Sequence, residues 1–115
     1  MVLFKFFLHV SMDEQKRRFL ERLERPEKHW KFSMSDLPER EFWGDYMDAY
    51  EDALTATTTE EAPWYVVPAD NKWVTRAVVA DVITTAIRSL DPRFPEVTED
   101  QRKKLAEARS QLQDE

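Results

Sequence analysis

Three arginines, Arg18, Arg22 and Arg25, stand four and three residues apart in a segment with helical character. At that spacing they share one stripe of a helix surface. Lys16, Lys28 and Lys31 lie close by in the chain. Guanidinium groups clamp phosphate oxygens through paired N–H donors, and ammonium groups hold them as point charges, so the cluster has the composition of a polyanion clamp. The ordinary alternative is a solvated face, because Glu14, Glu21 and Glu24 occupy neighbouring helical positions. Spacing alone favours that alternative.

Other residue sets carry weaker signals. Trp43, Tyr46 and Tyr50 could make a stacking wall for a base, although an aromatic stripe at helical spacing reads first as core. Asp70 and Lys72 follow a candidate strand, the region where open α/β sheets bind ligands, but Asp70 reads equally as a helix N-cap and Lys72 as an exposed first-turn residue. His9 sits in an apolar run and reads as a satisfied core residue. Asp45 and Asp48, with Glu41 and Glu51 around them, read as a solvated acidic face before they read as a magnesium site.

Composition removes several classes of function. The chain has no cysteine and two histidines, which excludes a disulfide framework or thiolate metal site and disfavours an imidazole zinc site. A net charge of -6 argues against non-specific DNA binding. The single glycine, Gly44, cannot furnish the close backbone approach that Walker-type or dinucleotide phosphate loops require. The apolar start Val2–Leu8 is broken by Lys5 and followed from Asp13 by dense charge, so it does not read as a signal peptide, and no stretch approaches a membrane span. A cytoplasmic protein without a membrane partner is the expectation.

The elements that must position these residues follow from patterning. Residues 2–10 read as a strand covered on both faces, and Ser11 with Glu14 as a capping box opening a helix that Pro26 stops near Arg25. Its apolar side is Phe19, Leu20 and Leu23, apart from the arginine stripe. Residues 26–35 read as a loop or turn. Asp36 with Pro38 and Glu39 starts a second helix carrying Phe42, Trp43, Tyr46, Met47, Tyr50 and Leu54, which ends in Thr55–Thr59. Trp64–Val67 between Pro63 and Pro68 is a second strand, followed by helices over about 72–90 and from about Thr98. Two strands joined through helices imply a parallel pair, and an unpaired first strand would be an association hazard.

Taken together, Gln15, Arg18, Phe19 and Arg22, then Pro26-Glu27-Lys28-His29-Trp30-Lys31, Asp36, Trp43 with Asp45-Tyr46, Ala62-Pro63-Trp64-Tyr65-Val66-Val67, Asp70 and Lys72-Trp73 closely resemble the C-terminal half of the polyphosphate kinase 2 family. The resemblance runs from Val2 to about Pro95. It implies an α/β fold, the C-terminal part of a P-loop kinase related to nucleoside-monophosphate kinases, mostly helical with two parallel-type strands. It implies phosphoryl transfer between inorganic polyphosphate and nucleotides with Mg2+, the Walker A and B segments lying in a half that these residues do not contain. Residues 12–58 would be a lid, with Arg18 and Arg22 as its catalytic residues and Lys28, Lys31 and Lys72 as phosphate contacts. Asp70, Trp43 and Tyr46 would lie near the nucleotide. Residues 1–95 would form the kinase-like portion and 96–115 a charged helical tail. Gly44 and Asn71 stand where the family usually carries acidic residues, a glycine inside a helix costing about 1 kcal/mol.

The expected function is thus a segment of a polyphosphate:nucleotide phosphotransferase, inactive alone and holding no metal by itself. It would act as a homo-oligomer or with a half bearing the phosphate loop. The alternatives are a non-catalytic interaction module and a small acidic helical scaffold without a ligand.

Overall fold

The computed structural model describes residues 1–115. In chain order it contains β1 (Lys5–His9), α1 (Met12–Glu24), a 3-10 segment (Pro26–Lys31), α2 (Asp36–Glu39), a 3-10 turn (Arg40–Phe42), α3 (Trp43–Thr57), β2 (Trp64–Pro68), α4 (Lys72–Ser89) and α5 (Glu99–Gln113). The chain divides into two compact units, residues 1–85 and 86–115. No helix is long and apolar enough to cross a membrane.

In the first unit β1 and β2 pair in parallel, with Lys5 beside Trp64, Phe7 beside Val66 and His9 beside Pro68. Each boundary has a local cause. Ser11 is extended and its Oγ accepts the Glu14 amide at 3.1 Å, starting α1. The residue before a proline is pushed out of the helical region, and Arg25, with φ -105° and ψ 111°, ends the helix ahead of Pro26. The threonine run does more than end α3. Thr57 Oγ1 accepts the Trp64 indole N–H at 2.8 Å and Thr58 Oγ1 the Trp64 amide at 3.1 Å, so the helix end delivers β2 to its place. At the far end of β2, Asn71 Oδ1 accepts the Trp73 amide at 3.0 Å and caps α4.

Several expectations are corrected. Residues 26–31 form 3-10 helix where a loop or turn was expected. The second helix is not continuous from Asp36: it breaks at Phe42, whose φ of -93° and ψ of 17° leave the helical region. Gly44 consequently lies at the start of α3. The cap of α4 is Asn71 and not Asp70. β1 is not covered on both faces, since none of its residues is buried. The buried apolar residues are Val67, 1% exposed, and Ala69, 6% exposed.

In the second unit α4 ends at Ser89, and Asp91 just beyond it takes the left-handed conformation at φ 48°. Thr98 and Gln101 exchange side-chain-to-backbone bonds, a complete capping box that opens α5.

Candidate phosphate and cleft site

The carboxyl ends of both strands meet the start of α1, and one polar network ties them. The Asp70 carboxylate accepts the Ser11 amide at 2.7 Å, and that amide holds the Asp70 carboxyl below its ordinary value. Arg18 donates through Nη2 to the Ala69 carbonyl at 2.8 Å and through Nε to Glu14 at 3.1 Å. Because Asp70 holds the Ser11 amide, the capping box expected at Ser11 and Glu14 is only half formed. The Glu14 carboxylate turns instead to Arg17, which grips it with two N–H donors at 2.6 and 2.9 Å. Arg17 and then Arg18 hold the Glu14 carboxyl down to about 2.

Glu21 performs the same neutralisation two turns on. It accepts from Lys28 at 2.7 Å, with Arg25 and Arg17 at 3.6 and 3.5 Å. Lys28 foremost keeps its carboxyl low. The basic cluster therefore splits in two. Arg17, Arg18, Arg25 and Lys28 are matched by carboxylates, whereas Lys16, Arg22 and Lys31 make no ion pair. Arg22 lies over the Phe19 ring at 5.6 Å and Lys31 over the Trp30 ring at 5.2 Å. The expected separation of arginine stripe and apolar side fails at this point, because Arg22 and Phe19, three residues apart, share one surface. Phe32 meets Phe19 edge-on at 5.7 Å, and His29 Nε2 bonds the Leu23 carbonyl at 2.8 Å, fixing the 3-10 segment against α1.

A second feature is a cleft of about 410 Å3 beside β1, lined by Phe7–Val10, by Gln15 and Phe19 of α1, and by the α2–α3 segment including Trp43 and Tyr46. Tyr50 packs on Phe7 at 4.8 Å, and the Tyr46 hydroxyl donates to Glu39 at 2.5 Å, which raises its pKa. The core reading of these aromatics is overturned. Tyr46 and Tyr50 are 43% and 42% exposed and α3 buries no residue, since the aromatic stripe looks onto a two-stranded sheet with an open side. His9 also lines this cleft and is only partly shielded.

The predicted site residues thus fall into three places. Arg18 and Asp70 come together at the strand ends, where Lys72 opens α4 without a bonded partner. Arg22, Lys28 and Lys31 lie on α1 and the 3-10 segment. Trp43 and Tyr46 share the cleft. Arg40 was not anticipated: it bonds Gln15 Oε1 at 2.7 Å and the Met12 carbonyl at 3.2 Å, across 25 and 28 residues. No local pattern carries such a contact. No three carboxylate or imidazole groups converge here.

Comparison with known proteins adds a further set of observations. The family description Polyphosphate kinase 2 (PPK2) matches residues 1–95. The ADP-polyphosphate phosphotransferase of Rhodopseudomonas palustris is 54% identical over 108 residues, covering 94% of this chain and 37% of that protein. An uncharacterized protein in the chlN 3′ region of Leptolyngbya boryana is 50% identical, covering 99% of this chain and 84% of that one. The crystal structure of polyphosphate kinase 2 from Arthrobacter aurescens superposes with a TM-score of 0.79 at 44% identity, covering 93% of this chain and 38% of that one. The chain spans little more than a third of the phosphotransferase and of the crystallised kinase.

Proposed function

The chain belongs to the polyphosphate kinase 2 family, and on that footing we propose that residues 1–95 are the lid-bearing portion of a polyphosphate:nucleotide phosphotransferase. In this reading the fold is the C-terminal part of a P-loop kinase of the nucleoside-monophosphate-kinase type. Residues 12–58 are the lid and 96–115 a charged tail. The observation that carries it is the division of the basic cluster. Arg22 and Lys31 keep their charge unneutralised and are held over aromatic rings, as groups awaiting an anion.

Phosphoryl transfer needs positioning and charge on the equatorial oxygens of the moving group more than covalent help from the protein. Arg22 would supply a guanidinium to those oxygens. Arg18 would reach them through Nη1 while Nε and Nη2 stay bound to Glu14 and Ala69, so it also fixes the lid base to the strand ends. Lys28, Lys31 and Lys72 would follow the polyphosphate, and Trp43 and Tyr46 would border the nucleotide, with Asp70 setting the hinge. The phosphate loop and the magnesium ion belong to sequence outside residues 1–115, and these residues alone would give no turnover. Polyphosphate binding measured at low and raised salt tests the reading. Arg22→Ala should weaken binding roughly tenfold or more, the scale of a lost charge-assisted hydrogen bond. In a complete family enzyme carrying this segment it should cost about 10³-fold or more in turnover. Unchanged binding and turnover would reject the assignment.

The Leptolyngbya boryana protein favours a second reading, because it consists mostly of this same stretch. There the segment acts as a non-catalytic interaction module, pairing with a kinase or with itself. Light scattering on the purified chain tests it, and a monomer under all conditions would reject self-association.

A further inference from the structure

Each limb of the proposed lid is laced to itself, and a single side chain joins the two. The first limb is α1 with the 3-10 segment that follows it. Lys28 donates to Glu21 at 2.7 Å, His29 Nε2 bonds the Leu23 carbonyl, and Phe32 meets Phe19 edge-on. Its foot is at the carboxyl ends of the strands, through Ser11 to Asp70 and Arg18 to Ala69. The second limb is α2, the 3-10 turn and α3. The Tyr46 hydroxyl donates to Glu39 and so ties α3 to α2 across the break at Phe42. Its foot is at the other end of the strand pair. There the Thr57 carbonyl accepts Lys5 Nζ at 2.7 Å, and Thr57 and Thr58 hold Trp64.

Two hydrogen bonds cross from one limb to the other, and Arg40 Nη1 donates both. They run to Gln15 Oε1 at 2.7 Å and to the Met12 carbonyl at 3.2 Å. No ion pair crosses the same gap. A charged donor makes such bonds roughly twice as strong as neutral ones. The Arg40 backbone is equally constrained. Its amide donates to the Leu37 and Pro38 carbonyls, and its carbonyl accepts the Trp43 amide. Whatever fixes the Arg40 guanidinium therefore fixes the start of α3.

That end of α3 has little else to hold it to the strands or to α1. Tyr50 rests on Phe7 with ring centroids 4.8 Å apart. Trp43 stands a further two turns away, about 10 Å along the helix axis. A swing of roughly 6° about Tyr50 thus displaces Trp43 by about 1 Å. Gln15, Arg40, Trp43 and Tyr46 line one cleft, so the same swing changes its width.

We propose that Arg40, acting through Gln15, is a positioning residue that sets the distance between the two limbs of the lid. The basic limb follows the polyphosphate and the aromatic limb borders the nucleotide, so donor and acceptor lie on opposite sides of this brace. Arg40 acts on the reaction through Trp43 and Tyr46 and does not itself touch the moving group. What it fixes is the approach of the two reactants, on which phosphoryl transfer chiefly depends. The proposal rests on the assignment of residues 12–58 as the lid.

Arg40→Ala, Gln15→Ala and the double variant test it, in a complete family enzyme carrying this segment and in the present chain. Gln15→Ala removes the acceptor and leaves every charge in place, so it carries the test should Arg40→Ala fold poorly. In the enzyme each single variant should lower kcat, Arg40→Ala by about 10²-fold, the cost of a misplacement of about 1 Å. The KM for nucleotide should rise and that for polyphosphate should hold, because Arg22, Lys28 and Lys31 keep their own foot. The double variant should be no worse than Arg40→Ala, since the two residues act as one unit. Additive losses, an equal rise in both KM values or an unchanged kcat would each overturn the brace.

The chain has no cysteine, so spin labels at Lys16→Cys and Asp48→Cys read the separation of the limbs directly. Their distance distribution should broaden on Gln15→Ala while helical circular dichroism stays the same. An unbroadened distribution rejects the brace even where kcat falls. A broadened one, beside an Arg22→Ala enzyme of full activity, rejects the lid assignment and leaves the brace standing.

Discussion

Individual side chains here divide sharply into those already occupied and those left available. Arg18 and Arg22 look equivalent in the sequence, four residues apart in one stripe. In the structure Arg18 is a strut to the Ala69 carbonyl and Arg22 is unpaired, so Arg18→Ala should lower stability as well as polyphosphate binding, and Arg22→Ala binding alone. The carboxylates that do this sorting make the fold sensitive to acid. The folded-state values of Glu14 and Asp70 are depressed, Glu14 from 4.5 to about 2. Their contribution is therefore complete above the ordinary carboxylate range and is lost as pH falls through the folded values. The thermal midpoint should rise between pH 2 and 4.5, and Glu14→Gln should flatten that rise in a calorimetric series.

At the level of elements, boundaries were legible wherever their cause is local. Ser11, Pro26, the Thr55–Thr59 run and Thr98 act within a few residues, and each was placed from sequence. In the sequence Asn71 reads as part of the turn before α4 and as a departure from the family pattern, although an asparagine two residues before Trp73 is an N-cap by its chemistry. Replacing it with alanine should cost about 1 kcal/mol in denaturant unfolding, and Asn71→Asp should retain most of that. The break at Phe42 was not legible, because nothing at 40–42 forbids a continuing helix. What it changes is the position of Gly44, now at the first turn of α3 with no atom within 4 Å of where a Cβ would stand. Gly44→Ala should thus stabilise the chain by about 0.4–1 kcal/mol, seen as a raised melting temperature. The parts of the site that escaped the sequence are those made by distance. Arg40 to Gln15 and Asp70 to Ser11 join residues 25 and 59 apart, and neither leaves a periodic trace.

For the molecule as a whole, the two units carry unequal parts of the proposed function. All residues given a phosphate or cleft role lie before Pro95, where the family match also ends. A chain ending at Pro95 should therefore bind polyphosphate with unchanged affinity and salt dependence, measured by titration beside the full chain. A loss of affinity would assign residues 96–115 a share in the site. The parallel register has a further consequence, which concerns time. β1 cannot pair until the segment with Trp64 exists, and Ser11 waits across 59 residues for Asp70. At about 5–20 residues per second, synthesis needs roughly 3–12 seconds to cross that separation. The β1–β2 pair and the Ser11–Asp70 bond are therefore late events in the making of residues 1–85, and α1 can form before either.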